Sequence, residues 1–171
     1  DSTRDESRED TGFFTKKYIV NQTNNSSRNG SDPLNFENNY RAIRYADVLL
    51  MAAEAHANNN DSSKATTYLN QVRARAFGDN SQDYSSSEGD LIDAIIAERR
   101  LELAAEGHYF FDLVRTGKAK AAFDSYNSNY SSGDTRPEIE YTENKNEFLP
   151  IPLVELELAN AIDRWGQNEG Y

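Results

Sequence analysis

Apolar residues recur at helical spacing in three long stretches of the chain. The longest runs from Leu91 to Arg115 and reads LIDAIIAERRLELAAEGHYFFDLVR, with isoleucines and leucines three or four residues apart on one face. This spacing predicts an amphipathic helix that begins near Ser87 and ends at Gly107. A second, shorter helix is expected over residues 108–116, and it should fold back against the first.

Two further stretches predict a helical hairpin. Tyr40–Asn58 is apolar on most sides, which is typical of an interior helix with neighbours on more than one face. After a turn at residues 58–60, Asp61 or Ser62 can cap a third helix that continues to residue 76. Antiparallel helices joined this tightly form a hairpin, and the small residues at its contact resemble a degenerate tetratricopeptide unit.

The other stretches are less regular. Residues 1–39 are interpreted as an extended segment followed by a loop rich in Asn and Ser, and residues 40–171 as one helical region. Ser125–Asn146 predicts a long surface loop. Two prolines favour an extended segment at Phe148–Pro152, and a last helix is expected over residues 153–159. The fold class that follows is mainly α, with helical hairpins and long irregular loops.

Composition excludes several classes of function. The net charge of −11 argues against nucleic acid or an anionic membrane surface as a partner, since both need a basic face. The 171 residues include no cysteine, so disulfides, thiolate zinc sites and thiol nucleophiles are excluded. No apolar run approaches the roughly 20 residues that cross a bilayer. The charged start DSTRDESRED is not a signal peptide.

The sequence holds no pattern typical of a catalytic, metal or cofactor site. The two histidines, His56 and His108, lack metal-ligand partners, and there is no glycine-rich phosphate loop or nucleophile elbow. The many acidic residues offer no means of choosing two that face each other across a glycosidase cleft. We therefore expect no catalytic residue, no metal and no cofactor, and we interpret both histidines as packing or hydrogen-bonding residues.

The central helix carries a cluster of opposite charges. Glu98, Glu102 and Glu106 form an acidic row at steps of four, and two cations, Arg99 and Arg100, stand among them. Arg99 falls on the otherwise apolar face, which predicts that it is buried. One interpretation is an active site with paired carboxylates. The other, which we favour because it needs no pocket or nucleophile, is a structural ion-pair network between packed helices.

Five segments, in matching order and spacing, resemble the C-terminal part of the SusD/RagB family. They are RYADVLLMAAEA at 44–55, YLNQVRARA at 68–76, LIDAIIAERRLELAAEGHYFFDLVRTGKA at 91–119, FLPIP at 148–152 and QNEGY at 167–171. Two positions depart from the family pattern. Tyr109 stands where the family usually has Arg, and Glu169 stands where it has Pro.

The resemblance implies a fold and a function. Family members are lipid-anchored outer-membrane proteins of Bacteroidetes with a mostly α-helical fold and tetratricopeptide-like helix pairs. They bind oligosaccharides or polysaccharides without turnover and deliver them to a partner TonB-dependent, SusC-like transporter. The anchoring cysteine and much of the glycan-contacting surface would lie in a missing N-terminal portion, which would also cover the apolar helix at 40–58. No glycan-contacting residue carries over to this chain.

Two other function classes remain beside this one. A helical protein-interaction module without glycan binding would share the hairpin, but it would not require FLPIP followed by QNEGY. A carbohydrate-active enzyme would require a cleft with paired acids. Binding without turnover separates the three classes.

Overall fold

A computed structural model describes residue 17 and residues 41–129, 138–158 and 166–171. Within these ranges the chain is helical and contains no β-strand, so the mainly α prediction is confirmed. The helices are α1 (Tyr45–Asn58), α2 (Ser62–Phe77), α3 (Leu91–Glu102), α4 (Tyr109–Arg115), α5 (Ala119–Ser128) and α6 (Leu153–Leu158). The extended segment and loop expected over residues 1–39 lie outside the described residues, apart from Lys17.

The described residues fall into two compact units, the first up to Ile95 and the second from Ile96 onwards. In the first unit α1 packs against α2, which confirms the predicted hairpin. The core of this unit comes from α1, from α2 and from the first residues of α3, and its largest fully buried side chains are Leu50, Leu69, Ile95 and Val72. Burial of these branched side chains is the main stabilising term of the hairpin.

A short turn joins the two helices of the hairpin. Asp61 caps α2 as predicted, because its Oδ1 accepts a hydrogen bond from the Lys64 N–H at 3.2 Å. The same bond lowers the pKa of the Asp61 carboxyl. Its Oδ2 lies 3.1 Å from Nδ1 of His56 in the last turn of α1. The aspartate therefore connects the end of one helix to the start of the next.

The first helix is shorter than the sequence predicts and is buried on one side. It begins at Tyr45 rather than Tyr40, and Arg44 before it is extended. Ile43 is 70% exposed, so a helical conformation before Tyr45 would gain no stabilisation from burial of this side chain. Along the helix itself Val48 and Met51 are also exposed. Cover for this apolar surface by a further part of the protein stays a prediction.

Both ends of α3 differ from the sequence prediction. The helix begins at Leu91 rather than near Ser87, because the side chain of Asp90 accepts hydrogen bonds from the N–H groups at 92 and 93. It ends at Glu102 rather than Gly107. Ala105 has a φ of 65°, a left-handed conformation that a right-handed helix cannot continue through.

In the second unit α4 lies within the predicted span, and a further helix, α5, follows it from Ala119. It continues to Ser128 and so replaces the start of the predicted loop. The side chain of Asn127 explains part of this extension. It donates to the Ile139 carbonyl at 2.8 Å and accepts from the Ile139 N–H at 3.1 Å, so the backbone at Ile139 is held against the helix.

The two short segments near the end of the chain form one hydrogen-bonded clasp, consisting of residues 148–152 and 167–171. The Gln167 side chain accepts from the Ile151 N–H at 2.7 Å and donates to its carbonyl at 2.8 Å. Asn168 donates to the Leu149 carbonyl at 2.6 Å, and the Tyr171 hydroxyl donates to the carbonyl of residue 148 at 3.1 Å. Side chains therefore supply the partners that a neighbouring strand would supply in a sheet.

Candidate functional site

A buried carboxylate in the second unit binds two arginines. Nε of Arg99 in α3 donates to Oδ2 of Asp112 in α4 at 2.9 Å, and each side chain is only 4% exposed. The other oxygen, Oδ1, accepts from Nε and Nη2 of Arg115 at 3.0 and 2.6 Å. Arg99 is buried, as its place on the apolar face predicts. This arginine cluster ties α3 to α4.

The sequence missed the central member of this cluster. Asp112 is a lone acid within YFFDLV, and a carboxylate in an apolar run is a signal for a nearby cation. Of the acidic row that the sequence did select, Glu98 is buried, whereas Glu102 and Glu106 are partly buried. An ion-pair network of these three residues with Arg99 and Arg100 stays a prediction.

Arg100 lies on a different side of the helix, beside an aromatic pocket. Its guanidinium carbon is 5.1 Å from the centroid of the Tyr109 ring. Both residues line a cavity of about 190 Å³. The other side chains that form this aromatic pocket come from α4, α5 and the segment around Ile139: Phe110, Leu113, Ala122, Phe123, Tyr126 and Ile139.

Helical spacing brings the aromatic residues together. Phe123 and Tyr126 are three residues apart in α5 and so share one face. The ring centroids of Phe110 and Phe123 are 6.5 Å apart with an interplanar angle of 53°. On its other side Phe123 stacks on Tyr141 at 5.1 Å and 20°. Because the segment after α5 is anchored at Ile139, this wall of the pocket is fixed from two directions.

A tyrosine and a glutamate support the pocket wall from behind. The Tyr141 hydroxyl donates to Oε1 of Glu147 at 2.7 Å. Burial, followed by this bond to a carboxylate, raises the pKa of Tyr141 to about 12. The same bond lowers the pKa of Glu147 from its usual value. Among the described residues, Oε2 of this glutamate is buried without a hydrogen-bond partner.

The lowered pKa of Glu147 predicts a dependence of stability on pH. A carboxyl with a depressed folded-state pKa stabilises the fold above its ordinary value of 4.5, and this contribution disappears as the pH falls through the folded-state value. We expect Glu147→Gln to lose less stability than the parent when the pH is lowered below 4.5. The melting temperature measured from pH 7 to pH 3 checks this.

The exposed Glu140, in the segment beside the same pocket, provides the control. Glu140→Gln should keep the acid sensitivity of the parent protein. If parent and Glu147→Gln lose stability in parallel on acidification, the bond between Tyr141 and Glu147 makes no contribution that depends on the charge.

The described residues include no group of three or more His, Asp or Glu side chains suited to a metal ion. No helix in these ranges is both long enough and apolar enough to cross a membrane. The side chains around the aromatic pocket comprise aromatic rings, aliphatic groups and one guanidinium, with no carboxylate among them.

Comparison with known proteins identifies relatives of the chain. The family model described as the SusD family matches residues 1–171. SusD-like protein P2 of Formosa agariphila is 35% identical over 125 residues, which cover 69% of this chain and 23% of the relative. SusD-like protein P25 of the same organism is 31% identical over 144 residues, which cover 82% of this chain and 26% of the relative. No solved structure matches the chain significantly.

Proposed function

Because the chain belongs to the SusD family, we propose that it is part of a non-catalytic glycan-binding protein of the bacterial cell surface. The family match across residues 1–171 is the observation that carries this proposal. The chain spans about a quarter of the length of the curated relatives. We assign the rest of such a protein an N-terminal portion with a cysteine that bears the lipid anchor to the outer membrane.

The protein would capture oligosaccharides outside the cell and deliver them to a SusC-like, TonB-dependent transporter. The aromatic pocket supports the binding step, since the faces of aromatic rings suit the apolar faces of sugar rings. Cleavage of a glycosidic bond instead needs two carboxyl groups about 5 to 9.5 Å apart on either side of the bond. The lining of the pocket supplies no such pair.

The test is binding without turnover. The whole protein is screened on a glycan array, and the glycans that it retains are titrated by calorimetry and then analysed by mass spectrometry. We expect saturable binding and recovery of each glycan with its length unchanged.

Two results would replace this proposal with one of the other classes. Shortened glycan products, lost on a single Asp or Glu substitution in a folded variant, would identify an enzyme. Absence of glycan binding, together with stable binding to a protein partner, would identify a helical interaction module.

A further inference from the structure

We propose that the aromatic pocket is a binding site for an acidic sugar, one whose ring carries a carboxylate or a sulfate, and that Arg100 is the residue that recognises the anionic group. This inference rests on the proposed function, since it names the class of glycan that this pocket accepts. Arg100 lies beside an aromatic ring at the pocket, in a chain that is acidic overall.

Arg100 differs from the arginines whose ion pairs are described above. Arg99 and Arg115 are both paired with Asp112, and in the first unit Arg73 is paired with Glu88 at 2.9 Å. The described contact of Arg100 is instead with the ring of Tyr109. The chain has a net charge of −11, so acidic side chains that could pair with an arginine are abundant.

The contact of Arg100 with Tyr109 is one of charge with the face of a ring, and it needs no hydrogen-bond acceptor. The guanidinium carries five N–H donors in a planar fork. That fork matches the two oxygens of a carboxylate or sulfate. Because Arg100 also lines the cavity, an anion on a bound ligand can reach these donors.

The rest of the pocket suits a single sugar ring. Its volume of about 190 Å³ is below the roughly 300 Å³ at which pockets for drug-sized ligands begin. Phe110, Phe123 and Tyr126 supply aromatic surface around this space. The stack of Phe123 on Tyr141 and the two hydrogen bonds of Asn127 to Ile139 hold the wall in place before any ligand arrives. Such preorganisation reduces the entropy lost on binding.

The experiment compares sugars that differ only in charge. Tetrasaccharides of galacturonate, mannuronate and glucuronate are titrated into the whole protein alongside their carboxyl-reduced, neutral counterparts. A sulfated tetrasaccharide and its desulfated form make the second arm, so the two arms identify which anion is recognised. We expect at least one acidic oligomer to bind about tenfold or more tightly than its neutral counterpart, as a charge-assisted hydrogen bond would produce.

Three variants test whether Arg100 causes the preference for acidic over neutral sugars. Arg100→Gln should reduce the ratio of the two affinities to near one, whereas Arg100→Lys should keep part of it because the charge remains without the fork. The exposed Arg75 in α2 belongs to the other unit, and Arg75→Gln should keep the full preference. Circular dichroism melting shows that each variant is folded.

Three other outcomes would contradict the acidic-sugar site, the proposed glycan binding, or both. If Arg100→Gln binds acidic sugars as the parent does, the anion is recognised elsewhere and the inference is wrong. If the parent binds acidic and neutral members of every pair equally, the inference is wrong and the proposed glycan-binding function stands. If no member of these pairs and no glycan on the array binds, both are wrong.

Discussion

Arg99→Met is expected to lower the free energy of unfolding by about 3 to 5 kcal/mol, since it leaves the Asp112 carboxylate buried beside one arginine instead of two. Both members of the pair are 4% exposed, so water cannot replace the lost guanidinium without disturbing the packing of α3 and α4. Denaturant unfolding of the parent and the variant measures the difference. Glycan binding by the folded fraction should be unchanged, because Arg99 does not line the aromatic pocket.

The same carboxylate supplies the matched control. Arg115 bonds to the other oxygen of Asp112, but its side chain is 41% exposed. Arg115→Met should therefore destabilise by less than Arg99→Met, because water can enter the position of the exposed guanidinium. Equal and small effects of both substitutions would show that Arg99 is solvated, and that the buried pair does not hold α3 against α4.

Leu50→Ala is expected to destabilise the hairpin by about 2 to 5 kcal/mol, because the side chain is fully buried and the truncation leaves a cavity among α1, α2 and the start of α3. The next residue, Met51, is 45% exposed on the same helix. Met51→Ala should change stability by no more than about 0.5 kcal/mol. Denaturant unfolding curves of the two variants compare a buried and a solvated site one residue apart.

A loss below about 1 kcal/mol for Leu50→Ala would contradict the described core. It would mean that the neighbours of this leucine collapse into the space or that the side chain is not enclosed. The slope of the unfolding curve distinguishes these cases from a change in the unfolded state, since the slope reports the surface exposed on unfolding.

Apolar periodicity predicted the helices well, because a helix that buries one face has apolar residues three or four positions apart in the sequence. The ends of the helices were harder to predict. The start of α3 depends on which of several neighbouring Ser, Asp and Glu side chains reaches a free backbone N–H. Its end depends on a left-handed alanine, Ala105, a conformation that alanine rarely adopts. Neither choice is visible in the spacing of apolar residues.

The two neighbouring arginines show why the site was harder to predict than the fold. Arg99 and Arg100 were assigned together to the acidic row of their own helix. Successive residues of a helix lie about 100° apart around its axis, so one arginine meets Asp112 and the other meets Tyr109. Both partners belong to α4, and sequence spacing within α3 carries no information about them. The pocket depends in the same way on contacts between α4 and α5.

The clasp has a consequence for how copies of the protein meet in concentrated solution. Residues 148–152 are apolar and belong to no helix, and Phe148 is 61% and Leu149 83% exposed, which are features of a segment that could add to a β-sheet of another molecule. Its two prolines have no N–H to donate, and the carbonyls at 148, 149 and 151 and the amide at 151 are already bonded. The backbone therefore offers few free groups for intermolecular strand pairing, and we expect little aggregation through this segment.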